Sequence, residues 1–228
     1  MQVPGAAGPA AAPAAPTAAA PPSVVYALDA RVQVLMRSTA LQENGSARTV
    51  ARAFNWWGGA GVIWCAVLLW LVARVARRRT LSLLGLRAVQ AIAVSSALSG
   101  IAKGLGGRSR PFVTPGEPWH WSFAHGWTDA RYFSMPSGHT TASFAFAMAV
   151  SAHLAGTSRA RRGVVSALVI LSAAGVAATR VYLNQHWLSD VVVGALLGIS
   201  TGRILARWHR AHPDTAFDRA LVGAPLPR

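Results

Sequence analysis

An all-α, polytopic membrane helix bundle, with about five transmembrane helices behind amphipathic N-terminal helices, is the fold this chain predicts. Three observations carry that expectation. Hydrophobic residues make up 53% of the 228 positions and charged residues only 13%, about half the share of a soluble domain. The apolar residues fall in runs of bilayer-spanning length, for which ~20 residues suffice. The arginines behind the net charge of +15 sit mostly at the ends of those runs. That is the pattern of the positive-inside rule, not of a basic face or tail that binds nucleic acid.

Residues 1–22 hold six prolines and no charge. They lack the basic start and continuous apolar core of a signal peptide and read as a Pro/Ala-rich tail. Residues 23–212 form the expected membrane domain, and 213–228 a C-terminal cytoplasmic tail. Asp29, Arg31, Arg37, Glu43, Arg48 and Arg52 interrupt the apolar residues of 24–55. At mid-bilayer each charge would cost ~2.5–3.5 kcal/mol, so helices lying at the membrane surface fit better than a span. "ENGS" at 43–46 reads as a turn between two of them. Spans are expected near 58–76, 84–105, 138–156, 163–181 and 187–206. Arg87 snorkels near one end of the second. Trp56, Trp57, Trp119, Trp121, Trp127 and Trp187 belong at interfaces. Cys65, the one cysteine, reads as a small buried hydrophobe, so no intrachain disulfide can form.

Three arginine clusters orient the bundle. Arg74, Arg77, Arg78 and Arg79 follow the first expected span. Arg159, Arg161 and Arg162 separate the third and fourth, and Arg203, Arg207 and Arg210 follow the fifth. Alternating topology puts all three on one side, the cytoplasm by the positive-inside rule. The 106–137 loop and the 179–190 stretch then share the other side.

Three stretches on that opposite face carry chemistry. "KGLGGRSRP" at 103–111 sets Lys103, Arg108 and Arg110 among glycines, and Lys103 is the only lysine in the chain. Such cations suit phosphate oxygens, although snorkelling at an interface uses the same residues. "MPSGHT" at 135–140 reads as a helix start, whose free N–H groups favour an anion. Ser137 would add a hydroxyl and His139 a proton donor; a capping serine beside an incidental histidine fits equally well. In "TRVYLNQHWLSD" at 179–190, His186 and Asp190 are four apart and would share a helical face. A carboxylate on one ring nitrogen fixes the tautomer and frees the other as nucleophile or base. Arg180 would neutralise the group attacked. In isolation the His–Asp pair also reads as a clasp at a helix end. Together, the ionisable residues on one membrane face point to function.

These stretches resemble the motifs of the type 2 phosphatidic acid phosphatase superfamily. "KGLGGRSRP" is similar to its Lys-x6-Arg-Pro motif, "PSGH" to its second, and "TRVYLNQHWLSD" to Ser-Arg-x5-His-x3-Asp, with Thr179 in place of the usual serine. The resemblance implies that His186 attacks phosphorus to form a phosphohistidine, with Asp190 behind it and His139 protonating the leaving group. It implies that Lys103, Arg110, Ser137, the Gly138 amide and Arg180 hold the phosphoryl oxygens without metal or other cofactor. Arg108 lies outside the motif and is given an accessory role. The implied protein is a phosphatase of the bacterial inner membrane with its site on the extracytoplasmic side. The substrate classes are undecaprenyl diphosphate, phosphatidylglycerophosphate and phosphatidic acid, with lipid A phosphate also open. An anion or lipid transporter, or a non-catalytic lipid-phosphate binder, is the alternative use of the same cations. A vanadate-dependent haloperoxidase is disfavoured by the spans. His120 and His125 with Glu117 and Asp129 match no strong metal-ligand spacing.

Overall fold

The computed structural model describes residues 23–223, so the expected 1–22 tail and residues 224–228 lie outside the described residues. Helices carry the described structure: α1 Val24–Met36, α2 Thr39–Glu43, α3 Gly45–Trp56, α4 Val62–Val75, α5 Arg79–Gly106, α6 Gly138–His153, α7 Arg159–Tyr182, α8 Leu188–Ala211 and α9 Ala216–Val222. A π-helical segment, Trp57–Gly61, joins α3 to α4 without a break, so one 31-residue apolar helix runs over Gly45–Val75. The first expected span therefore starts earlier than expected. Arg48 and Arg52 ride on its exposed flank, from which long stems reach water.

Among the described residues, four helices are long and apolar enough to cross a membrane: Gly45–Val75, α5, α7 and α8. The remaining expected span is α6, only 16 residues. At ~1.5 Å per residue it is shorter than a ~30 Å hydrocarbon core. Instead α6 is the axis of the bundle, with Thr140 to Ala149 all buried. Its close neighbours are made possible by small residues. Gly194, Gly198 and Gly202 recur every four residues on the α8 face against it. A Cβ at Gly194 would stand 2.7 Å from the Ser137 carbonyl oxygen, and one at Gly202 2.6 Å from Met148 Cβ. Such small-residue faces bring helix backbones together where lipid offers no hydrophobic drive. Val62, Ala66, Ala88, Ala91, Ile92, Ala145 and Phe146 complete the core around α6.

The amphipathic N-terminal helices lie across one end of the bundle. In α1 the buried residues are Asp29 and Gln33, one turn apart, while Val24, Val34 and Leu35 face outward. Its polar side thus faces the protein and its apolar side the surroundings, as suits a helix at the lipid boundary. Asn44 caps α3 by accepting from the Ala47 N–H at 2.9 Å, at the expected turn. At the opposite end, α9 folds back along α5. Val222 packs on Leu83 and Leu86, and Trp70 Nε1 donates to the Leu221 carbonyl at 3.2 Å.

Candidate active site

Lys103 occupies the last turn of α5, which ends at Gly107 with φ 62°. A side chain at that left-handed position would run into the Ser122 carbonyl, so glycine is required for the helix to stop and turn. Lys103, 5% exposed, donates from Nζ to the carbonyls of Phe133 and Ser134, each at 3.0 Å. Two of its three ammonium donors are thereby used. The same bonds fix the backbone that leads into α6.

The second stretch begins α6 as expected, with Ser137 at the N-cap. The Ser137 N–H donates to the Asp190 carbonyl at 2.9 Å, tying the start of α6 to the start of α8. Its hydroxyl accepts from Thr140 Oγ1 at 3.0 Å and is fully buried. Gly138 abuts Lys103, whose Cε would lie 3.7 Å from a Cβ there. His139 stands in the first turn against the π segment; a Cβ at Gly59 would approach its Nε2 to 2.8 Å. A cavity of about 270 Å³ lies beside Lys103, Gly138 and His139, floored by Gly59, Ser99 and Gly100.

The third stretch differs from its expected local geometry. His186 is not on a helix: α8 starts at Leu188, with Trp187 as N-cap and Asp190 in the first turn. The His–Asp pair is therefore formed across a helix start, not along one face. His186 Nδ1 lies 3.5 Å from Asp190 Oδ2, longer than a normal hydrogen bond. That oxygen already accepts from Ser134 Oγ at 2.5 Å and the Trp187 N–H at 2.9 Å. The loop is held by the Arg180 carbonyl, which accepts from the Gln185 and His186 N–H groups at 3.1 and 3.3 Å. Arg180 lies in the last turn of α7, is 7% exposed, and donates to Asn55 Oδ1 of α3. Arg110 donates from Nη1 to Gln185 Oε1 and from Nε to the Ala130 carbonyl, each at 3.0 Å. Trp187, expected at an interface, is 1% exposed, and its Nε1 donates to the Ser109 carbonyl at 3.0 Å.

Arg108 is far more than accessory in position. Its side chain is fully buried, and its guanidinium bridges two buried carboxylates, Asp190 at 2.6 Å and Asp29 at 2.7 Å. It also donates to Ser189 Oγ at 2.7 Å and the Pro118 carbonyl at 2.9 and 2.7 Å. Tyr26, Trp121 and Trp187 rings surround it at 5.3–5.7 Å. Asp29 in turn accepts from the Ser189 N–H at 2.7 Å. Asp29, Ser134 and Asn55 were missed in the sequence. An acid in a helix as apolar as α1 is the signal that marks Asp29.

With the three motifs gathered at one end of the bundle, a profile of the PAP2 superfamily matches residues 84–214, more than half of the chain. The chain belongs to the PAP2 superfamily. Among curated proteins, the lipid A 1-phosphatase of Porphyromonas gingivalis is 41% identical over 71 residues. That stretch is 31% of this chain and only 15% of the relative, so the chain spans a small part of it. Among solved structures, Aquifex aeolicus LpxE superposes with a TM-score of 0.55 at 21% identity, covering 78% of this chain and 93% of that one. It shares the fold. A PAP2-type phosphatidylglycerolphosphate phosphatase from Bacillus subtilis superposes at 0.49 and 18% identity, over 85% and 96% of the two chains.

In this PAP2 protein the electrostatics of the site follow from burial. Burial pushes the His186 imidazole down to about 3; Asp190 opposes the shift, while Lys103 and Arg180 add to it. The ring is neutral at ordinary pH, as a nucleophile requires. Around it stand fixed cations that no rearrangement has to recruit. Asp129 of the 106–137 loop, by contrast, is engaged by Arg131 at 2.8 Å, and His125 packs edge-on to Tyr132 at 4.7 Å.

Proposed function

We propose that this protein is an integral-membrane lipid phosphatase that works through a phosphohistidine. The observation that carries the reading is a buried His186 whose Nδ1 faces Asp190 Oδ2 at 3.5 Å, with the buried cations Lys103 and Arg180 gathered at the same end of the bundle. His186 Nε2 attacks phosphorus while Nδ1 turns toward Asp190, a contact that shortens as the ring gains charge. The P–O bond to the leaving group breaks, and His139 gives that oxygen its proton. Water then attacks the phosphohistidine, losing its proton to His139, and phosphate leaves with His186 restored. Lys103, Arg110, Arg180, Ser137 and the Gly138 amide hold the phosphoryl oxygens. Arg108 acts through Asp190, as a positioning residue.

The substrate is a phosphate or diphosphate carried by a lipid. The cavity beside His139 continues past Ile63, Ser96 and Ala142, apolar and small side chains that suit a chain entering from the bilayer. The name of the Porphyromonas gingivalis relative supports lipid A 1-phosphate beside the polyprenyl and glycerolipid candidates. The arginine clusters support an inner-membrane orientation with the site outside the cytoplasm.

Phosphate release from undecaprenyl diphosphate, phosphatidylglycerophosphate, phosphatidic acid and lipid A 1-phosphate, measured in EDTA with detergent-purified protein, tests the reading. Release from at least one lipid that persists in EDTA is expected, and the preferred lipid names the substrate. Folded protein that releases none, yet binds them, would transfer the reading to a lipid-phosphate binder or transporter.

A further inference from the structure

At the arginine-rich end, a second cluster of polar groups plays no part in the proposed chemistry. α5, α6 and α8 enclose a cavity of about 40 Å³ lined by Arg87, His153, His209 and Arg210 above Gly202 and Leu205. His209 is 4% exposed, yet neither of its ring nitrogens meets a hydrogen-bond partner among the described residues, and neither does the buried Nε of Arg87. Buried polar groups of native proteins are almost always satisfied, so each such group requires an explanation. The charges around the cavity supply one. Neither Arg87 nor Arg210 forms an ion pair among the described residues, whereas nearby Arg79 is paired with Asp214 at 2.7 Å. Asp218, a buried acid whose charge acts on both Arg87 and His209, is outside the lining, and its Oδ1 meets no hydrogen-bond partner among the described residues. Its Oδ2 accepts from the Thr215 N–H at 3.2 Å. Arg210 also borders a wider groove of α6, α7 and α8 that carries Arg203 and Arg207.

We propose that this end of the bundle holds a second anion site that takes a phosphate group, with the Arg87 and Arg210 guanidiniums binding its oxygens and the His209 ring donating from below. Unpaired guanidiniums over buried N–H donors match a phosphate in charge and in bonding. Basic pockets between helices at the cytoplasmic side are suited to lipid headgroups, and a free phosphate offers the same oxygens. The site lies at the far end of α5 and α8 from Lys103 and Asp190, so its occupancy is separable from the proposed phosphatase reaction.

The test uses the full chain in phosphatidylcholine nanodiscs. One arm titrates phosphatidylglycerol into the discs and the other inorganic phosphate into the buffer, with bound ligand counted by native mass spectrometry. Arg87→Gln and Arg210→Gln are each expected to weaken binding at least tenfold in one arm, while lipid phosphate release stays at the wild-type rate. Loss in the phosphatidylglycerol arm identifies a lipid headgroup; loss in the phosphate arm alone identifies a soluble anion. Wild-type binding of both probes by both variants would overturn the proposal. Arg210 is exposed on the last turn of α8, so its variant keeps the test decisive if Arg87→Gln fails to fold.

Discussion

The two ends of the bundle use the same residue, arginine, in opposite ways. At the motif end Arg108 is wholly enclosed and bridges two carboxylates. At the other end Arg159, Arg161, Arg162 and Arg203 are exposed. A buried charge survives only when it is paired and hydrogen-bonded, so the motif end is over-determined: moving one partner strands the others. An exposed charge at a membrane surface needs no partner. It records orientation rather than chemistry. Mutational sensitivity should therefore be steeply graded along the bundle axis.

The largest effect belongs to Asp190. Asp190→Asn removes the charge that holds Arg108 and faces His186, and should lower phosphate release by about 10²–10⁴-fold as well as the melting temperature. Wild-type kcat in a folded Asp190→Asn protein would break the assignment. Arg108→Gln comes next. It leaves Asp29 and Asp190 buried without their shared cation, a loss of about 3–5 kcal/mol, read as a fall in detergent melting temperature. Adding Asp29→Asn to Arg108→Gln should cost less than the sum of the two single changes, because they share one network. Strict additivity would mean that the bridge is not coupled.

A pH measurement sharpens the same contrast. An ordinary histidine is half-protonated near ~6.5, whereas burial holds His186 neutral down to about 3. Phosphoryl transfer to His186, followed by rapid quench, should therefore not decline from pH 8 to pH 5. A decline centred near 6.5 would show that the nucleophile is solvated. The smallest effect is expected at the other end. Arg161→Gln should change stability by less than about 0.5 kcal/mol and leave phosphate release unaltered, as measured by melting and by turnover.

Much of this was legible in the sequence because membrane physics is coarse. Apolar runs and arginine clusters place helices and ends, and the three motifs name residues that the fold does bring to one end. Three features were not legible. The joining of α3 to α4 depends on a π segment of small residues, Gly58 to Gly61, where no periodicity marks a boundary. The His186–Asp190 pair looked helical by spacing, yet the extended backbone of Trp187 places the helix start between the two residues. Arg108 was undervalued because its partners, Asp29 and Asp190, lie 79 and 82 residues away in sequence. A long-range ion bridge leaves no local pattern.

A phosphatase of this mechanism carries a covalent intermediate on His186. The direct measurement is to quench the purified protein in alkali during turnover of a ³²P-labelled lipid phosphate and map the label. The account predicts an alkali-stable, acid-labile phosphate on His186 that is absent from His186→Ala and accumulates in His139→Ala with a substrate whose leaving group needs no proton. Turnover that proceeds with no label on the protein, or with label elsewhere than His186, would contradict it.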